Sequence, residues 1–366
     1  MKVAICYDRV NKFGGAERVL QALNQIYPDA PLYTLVYDKD KAVWASGIKV
    51  IPTFLNKISF LRDKHELLAP IAPLAFETLN FDEFDVVISV TSSDAKAIIT
   101  KSHTLHICYC LTPTRYFWSG AKEYDKDIKM KLLPHLIKKY LRTVDLLISK
   151  RPDEYIAISD IVKNRINQYY SRDADIIYPA IDDKFYTQTK PLPKSKRKFY
   201  LLVSRLVPYK KADLAIKAFN QLGEKLVVIG TGSEEEKLKK MAKSNIDFWG
   251  AVDDDKLIYA YKHAKALIFP QDEDFGLVPI EAQSSGTPVI ALDSGGARET
   301  VVDGSTGVFF KQQTTKSLIN AIKRFEKIKF SFDECKENAK KFSKSTFIRE
   351  FSDKVNALSQ KYYQSK

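Results

Sequence analysis

Short apolar runs alternate along the chain with stretches whose apolar residues recur every three or four positions. Val3–Tyr7 is an apolar run that ends at Asp8. It is followed over residues 15–26 by Ala16, Val19, Leu20 and Leu23 at helical spacing. Pro31–Tyr37, Val86–Val90, Leu105–Cys110 and Tyr155–Ile158 are further strand candidates. In the second half, strands are expected at Tyr200–Ser204, Leu226–Ile229, Asp247–Trp249, Ala266–Phe269 and Pro288–Ala291. Helical patterns such as Ala212–Leu222 and Ser233–Ala242 separate them, and the C-terminal stretch is helical in pattern and lysine-rich. Repeated β-then-α order implies an α/β fold, with parallel sheets covered by helices.

The alternation breaks once. Asp182-Asp183-Lys184 leads into Lys190-Pro191-Leu192-Pro193 and the basic run Lys194–Lys198, a composition that marks a linker. At 366 residues the chain is also too long for one core, since single cores stop growing at roughly 250–300 residues. The expectation is two Rossmann-like domains facing each other across a cleft, residues 1–185 and 186–345. Residues 346–366 would form a helix packing back toward the first domain. In such sheets ligands bind outside the carboxyl ends of the strands.

Composition narrows the classes. With 45% hydrophobic and 28% charged residues the chain is globular rather than disordered. No run approaches the roughly 18 apolar residues of a spanning helix. The opening Met-Lys-Val-Ala-Ile-Cys-Tyr-Asp reads as a first strand rather than a signal peptide, so neither an integral membrane protein nor a secreted precursor is expected. Four cysteines are too few for a disulfide framework and lack zinc spacing. They read as reduced, buried cytosolic thiols. The net charge of +13 suggests an anionic partner: nucleic acid, an anionic membrane surface or a phosphorylated substrate.

Three segments at strand ends carry candidate chemistry. Gly14-Gly15, after the first strand and opening a helix, would let a ligand approach the backbone and present free N–H groups to an anion. A plain tight turn would look the same. Arg205 and Lys210, in Ser204-Arg205-Leu206-Val207-Pro208-Tyr209-Lys210, are two cations beyond the first strand of the second domain. A guanidinium fork and a compact ammonium together could neutralise a diphosphate, though a solvated surface pair has the same sequence. Third, Glu273-Asp274-Phe275-Gly276-Leu277-Val278-Pro279-Ile280-Glu281 appears at a helix start near Gly276. Pro279 is tolerated there because it falls in the first turn. Amides of Phe275, Gly276 and Leu277 would point at an anion, with Glu273 before the helix and Glu281 inside it. Complementing the helix dipole would explain Glu273 well and Glu281 poorly. Carboxylates on both sides of an anion-binding helix end suit a nucleotide sugar.

Taken together, these elements resemble a family-4 retaining glycosyltransferase of the GT-B fold. Glu273–x7–Glu281, set in EDFGLVPIEAQSSGTPVIA, is similar to the family's E-x7-E signature. SRLVPYKKADLAIKAF resembles its Arg-x4-Lys element, and VAICYDRVNKFGGAERV its Gly-rich loop. LVVIGTGSEEEKLKK and ALDSGGARETVVDGSTGVFF resemble the flanking stretches. The segment HICYCLTPTRYFW is similar to that of bacterial O-antigen mannosyltransferases.

The resemblance implies roles. The first domain would bind the acceptor and the second the nucleotide sugar. Glu281 would hold the donor ribose hydroxyls and Glu273 the donor sugar hydroxyls. Phe275, Gly276 and Leu277 would give amides to the diphosphate and sugar. Arg205 and Lys210 would hold the diphosphate, with Gly14 and Gly15 approaching it from the other domain. With Glu273, these two cations form the catalytic set. The base would lie near Gly250-Ala251-Val252, with Val252 in contact. The family needs neither cofactor nor divalent metal, and Asp253-Asp254-Asp255 reads as a helix start. GDP-mannose is the expected donor and a lipid-linked or surface-polysaccharide glycan the acceptor. A UDP-hexose donor, or a catalytically silent nucleotide-sugar binder, are the alternatives.

One departure stands out. Leu111, in Tyr109-Cys110-Leu111-Thr112-Pro113, occupies the place where many members carry histidine. That role is vacant, and Arg115 and Tyr116 are the acceptor-side candidates nearby. Retention could persist through a front-face displacement in which the leaving diphosphate oxygen takes the acceptor proton.

Residues 121–151 hold nine Lys/Arg against four Asp/Glu. Leu133, Leu136, Ile137, Tyr140, Leu141, Val144, Leu147 and Ile148 share a helical face there, and residues 54–62 also mix apolar and basic groups. Either segment could lie on an anionic bilayer, or pack as an ordinary amphipathic helix. The expected location is cytoplasmic and peripheral on the inner face of the cell membrane. Nucleic acid is not expected as a partner, because aromatics are not interleaved with the charges as a stacking platform.

Overall fold

The computed structural model describes residues 1–58, 68, 70–119, 135–186 and 192–364. The chain divides into two units, Met1–Ala180 with Ser345–Lys366, and Ile181–Lys344. This division falls five residues before the limit drawn from linker composition. The N–H of Ile181 donates to Phe342 O at 3.2 Å, and the buried Phe185 ring packs edge-on to Tyr261, so residues 181–185 are tied to the second unit.

The first unit runs β1 (Val3–Tyr7), α1 (Gly15–Ile26), β2 (Leu32–Thr34), β3 (Val50–Pro52), α2 (Ala72–Glu77), β4 (Val86–Thr91), β5 (Leu105–Cys110), α3 (His135–Ile148), β6 (Glu154–Ala157), α4 (Asp160–Tyr170) and β7 (Asp175–Ile176). Its seven strands order β3-β2-β1-β4-β5-β6-β7, and every pairing is parallel. β4, Val-Val-Ile-Ser-Val-Thr, is buried at every position. A parallel strand covered by helices on both faces has no solvent side, which is why it reads as a continuous apolar run rather than an alternation.

The second unit runs β8 (Phe199–Val203), α5 (Ala212–Leu222), β9 (Leu226–Ile229), α6 (Glu235–Met241), β10 (Ile246–Gly250), α7 (Asp254–His263), β11 (Ala264–Phe269), α8 (Leu277–Ser284), β12 (Val289–Leu292), α9 (Ala297–Thr300), β13 (Gly307–Phe310), α10 (Thr315–Lys327) and α11 (Phe332–Lys340). Its six parallel strands order β10-β9-β8-β11-β12-β13. Both sheets reverse strand order beside their first strand, between β1 and β4 and between β8 and β11. In sheets of this topology that reversal opens the ligand crevice.

The last helix, α12 (Lys344–Gln364), lies against the first unit from Ser345 onward. Phe347 and Phe351 pack edge-on to the buried Tyr109 ring, with centroids 6.0 and 5.5 Å away. Tyr362 and Tyr363 hydroxyls donate to the carbonyls of Ser102 and Asp85, each at 2.8 Å. All four cysteines are buried free thiols. Among the described residues no helix is long and apolar enough to cross a membrane.

Candidate functional site

In the second unit, the loop after β8 and the loop after β11 flank the strand-order reversal. The first carries Arg205 and then a 3-10 turn, Pro208–Lys210. Lys211, in left-handed conformation at φ +56°, turns the chain into α5. Lys210 Nζ forms an ion pair with Glu273 Oε1, and both side chains are largely buried. Arg205 donates to the Tyr209 hydroxyl, while Lys210 Nζ lies 5.1 Å from the Tyr209 ring centroid. Tyr209 therefore holds both cations, a role its place in the sequence does not disclose.

The second loop, Glu273–Gly276, leads into α8. Gly276 is the N-cap at φ +91°, a backbone state that glycine adopts at no steric cost. The N–H groups of the first helical turn, Leu277 and Val278 among them, have no acceptor within the helix, and Pro279 has no N–H to leave orphaned. Phe275 is buried against Phe342. Glu281 lies one turn further on, buried, and accepts from Tyr261 OH at 2.8 Å.

Glycines elsewhere prop both loops. An added Cβ on Gly295 would lie 2.3 Å from Glu273 O, and on Gly296 2.2 Å from Phe275 O. Gly296 N–H donates to Glu273 O at 2.9 Å. Likewise a Cβ on Gly230 would lie 1.9 Å from Ser204 O, and on Gly232 2.3 Å from Leu206 O. These four positions bring backbone against backbone directly behind the Arg205 and Glu273 loops. Their glycines stand in the quoted GTG and SGG segments, but what each one approaches is a tertiary fact.

Val252 follows β10 beside Gly250, whose carbonyl accepts from Gly230 N–H at 2.8 Å. Asp253 caps α7, its Oδ1 accepting from Lys256 N–H at 2.8 Å, so the acid triplet is a helix start.

In the first unit, Gly14 caps α1 in extended conformation and Gly15 is its first residue. Behind them Glu17 is buried and accepts from Tyr7 OH at 2.7 Å. Leu111 continues from β5, its N–H donating to Thr91 O at 2.8 Å. Arg115 and Tyr116 follow in the same loop, and Tyr116 OH meets Ser93 Oγ at 2.9 Å. His106 does not fill the place left by Leu111. It is buried within β5, its Nε2 meets Ser89 Oγ at 2.8 Å, and burial, with Arg151 and Arg172 nearby, pushes its pKa down to about 3.

The apolar face read over residues 133–148 divides where it is described. Leu141, Val144 and Ile148 turn inward, and Tyr140 and Leu147 are exposed. Leu133, the side chains of Leu136 and Ile137, and residues 59–62 and 121–132 of the basic segments lie outside what is described.

Residues 184–342 match the family described as Glycosyl transferases group 1. The GDP-mannose-dependent alpha-(1-6)-phosphatidylinositol monomannoside mannosyltransferase of Mycobacterium tuberculosis is 30% identical over 236 residues, 55% of this chain and 58% of that protein. The O-antigen chain mannosyltransferase RfbU of Salmonella typhimurium is 28% identical over 203 residues, 52% of this chain and 56% of that one. The chain thus spans a little over half the length of these curated relatives. Among solved structures, Anabaena HepE in complex with UDP superposes with TM-score 0.72 at 18% identity, covering 98% of this chain and 100% of that one. Likeness at that identity speaks for the fold, two Rossmann-like parallel-sheet units. Residues 184–342, nearly all of the second unit, therefore match the glycosyl transferases group 1 family, within a chain of GT-B fold.

Proposed function

We propose that this chain is a retaining glycosyltransferase that moves a hexose, mannose from GDP-mannose, to a lipid-linked or surface-polysaccharide glycan. The observation that carries this reading is the assembly at the reversal between β8 and β11. Lys210 pairs with a largely buried carboxylate, Glu273, just before the α8 N-terminus, Tyr209 holds Arg205 on the same loop as Lys210, and both loops flank the kind of strand-order reversal at which ligands bind in such sheets. Phosphate oxygens suit the cations and helix amides, and sugar hydroxyls suit the carboxylates. The two mannosyltransferase relatives support mannose as the sugar. The UDP complex of HepE supports a UDP-hexose as the second reading. In either case the leaving diphosphate is stabilised by side-chain cations and helix amides, without cofactor or metal, and its oxygen takes the acceptor proton on the face the acceptor enters.

A thermal-shift panel of GDP-mannose, UDP-glucose, UDP-galactose and ADP-glucose tests this. A ligand at 100 times its Kd stabilises the native state by about 2.7 kcal/mol, so the donor raises the midpoint by a few degrees. GDP-mannose is expected to give the largest rise. A larger rise with a UDP-sugar favours the second reading, and no rise with any of the four overturns both.

Attachment to an anionic membrane surface is part of the same proposal. On α3, Tyr140, Leu146 and Leu147 are exposed beside Lys139 and Lys150. Phe54 and Ile58 are exposed beside Lys57. Exposed apolar groups with adjacent cations suit an anionic bilayer surface. Binding to phosphatidylglycerol-containing liposomes should weaken as salt rises, because exposed charges are screened over about 8 Å at physiological ionic strength. Equal binding to neutral and anionic liposomes, or to neither, rules this out.

A further inference from the structure

We propose that Asp94, with Ser93 and Tyr116, is the part of the first unit that receives a hydroxyl of the acceptor sugar, an inference that rests on the glycosyltransferase reading. The three residues come together at the strand-order reversal between β1 and β4. Asp94 follows β4, and Tyr116 lies in the loop after β5. Ser93 Oγ donates to Asp94 Oδ2 at 2.6 Å and meets Tyr116 OH at 2.9 Å, so the phenol can donate to the serine and the serine to the carboxylate. Asp94 is half-buried, and among the described residues its Oδ1 has no hydrogen-bond partner.

The neighbouring carboxylate is fully occupied. Asp8, at the end of β1, is buried, and its Oδ1 accepts from Thr91 Oγ1 and from the N–H groups of Asp94 and Ala95. Its Oδ2 accepts from Ser92 N–H at 2.7 Å. Asp8 thus shapes the loop, and Asp94 keeps an open oxygen on it. Burial first, then Asp8, pushes the Asp94 pKa up to about 6, against the opposing effects of the Ser93 hydrogen bond, Lys96 and Arg9. Asp145 on α3 lies behind Lys96 and is paired with it. A carboxylate at this place disfavours a diphosphate and favours a neutral polyhydroxyl ligand. An ionised carboxylate is also a strong acceptor for a hydroxyl donor. The loop lies next to Leu111, whose N–H is bonded to Thr91 O.

Saturation-transfer NMR tests this on the full chain, with octyl α-mannoside, α-glucoside and α-galactoside as probes at pH 5 and pH 7.5. The wild type should transfer saturation to at least one glycoside, more weakly at pH 5, where Asp94 is largely protonated and its acceptor strength is reduced. Asp94→Asn should weaken that binding at least tenfold at pH 7.5 and remove most of its pH dependence. The same variant should raise the thermal midpoint at pH 7.5. With its pKa raised on folding from the ordinary 3.8 to about 6, the aspartate's cost to stability sets in as pH rises through about 4 and is complete above about pH 6, and it vanishes below about pH 3, where both states are protonated. Wild-type-like binding by Asp94→Asn overturns the proposal. So does wild-type binding that is flat between pH 5 and 7.5, a measurement that needs no variant, or no saturation transfer to any of the three glycosides. Donor-induced thermal shifts report separately on the glycosyltransferase reading, so the two can fail independently.

Discussion

Arg205→Ala and Lys210→Ala should each lower turnover, measured as transfer or donor hydrolysis, by about 10²–10³-fold while circular dichroism shows the fold intact. That is the usual cost of removing one preorganised donor from a developing negative charge. In the proposed reaction the leaving diphosphate gains charge as the sugar–oxygen bond breaks; Lys210 pairs with Glu273 just before α8, and Tyr209 holds Arg205 on the same loop as Lys210. The two side chains differ in setting. Arg205 is exposed and held by Tyr209, so its loss leaves the surroundings in place. Lys210 is paired with Glu273, so its loss also leaves a largely buried carboxylate without a cation. A double-mutant cycle separates the two effects. If Lys210 acts on the leaving group, Glu273→Gln lowers turnover further on top of Lys210→Ala. If it serves only to hold Glu273, the double variant equals the single. Arg205→Lys should rescue in part, because an ammonium lacks the bidentate fork. EDTA should leave the wild type unchanged. Near-wild-type turnover in both alanine variants, or abolition of activity by EDTA, would place the stabilisation of charge elsewhere.

Asp145→Ala should cost about 3–5 kcal/mol of stability, the range for removing one partner of a buried ion pair. The Lys96 and Asp145 side chains are 2% and 3% exposed, with Lys96 Nζ 2.8 Å from Asp145 Oδ1. The carboxylate also accepts from Thr114 Oγ1 at 2.6 Å, Trp118 Nε1 at 2.7 Å and Tyr170 OH at 2.8 Å. One aspartate on α3 thus joins the loop after β4, the loop after β5 and α4. In the wild type, burial alone would push the Lys96 pKa down, but Asp145 reverses this and raises it. Without Asp145 burial still acts against the charged form, and only Tyr155 and Asp94 still favour it. Urea unfolding at pH 7 reads the cost, and a deficit under about 1 kcal/mol contradicts this role.

Much of the fold was legible because parallel strands buried on both faces leave continuous apolar runs. Val3–Tyr7, Leu105–Cys110 and Leu226–Ile229, and helices Gly15–Ile26 and Ala212–Leu222, have the bounds their patterns suggest. Three short strands, Val50–Pro52, Asp175–Ile176 and Gly307–Phe310, stand outside the runs that the sequence pattern marks. Two of them close the edges of the first sheet, and pieces of two or three residues are too short to show a period. Pro31–Tyr37 shortens to Leu32–Thr34, beyond which the chain keeps only an isolated bridge from Tyr37 to Val10.

The candidate site divides in the same way. Glycines at turns, the proline of a helix's first turn and cations beyond strand ends are local signals, because backbone sterics and helix-end hydrogen bonding act over a few residues. By itself the sequence therefore determined which segments stand at the strand ends of the second unit and which residues open α8. Only the tertiary structure decided that Lys210 faces Glu273, that Tyr261 holds Glu281, and that Gly295 and Gly296 lie against the Glu273–Phe275 backbone. Those contacts join residues tens of positions apart, and parallel strand order, which no local pattern encodes, brings them together. The same holds in the first unit. Asp8, Asp94 and Asp145 are three aspartates whose roles no local pattern in the sequence tells apart. Burial and neighbours alone make one a loop cap, one a carboxylate with an open oxygen and one the partner of a buried lysine.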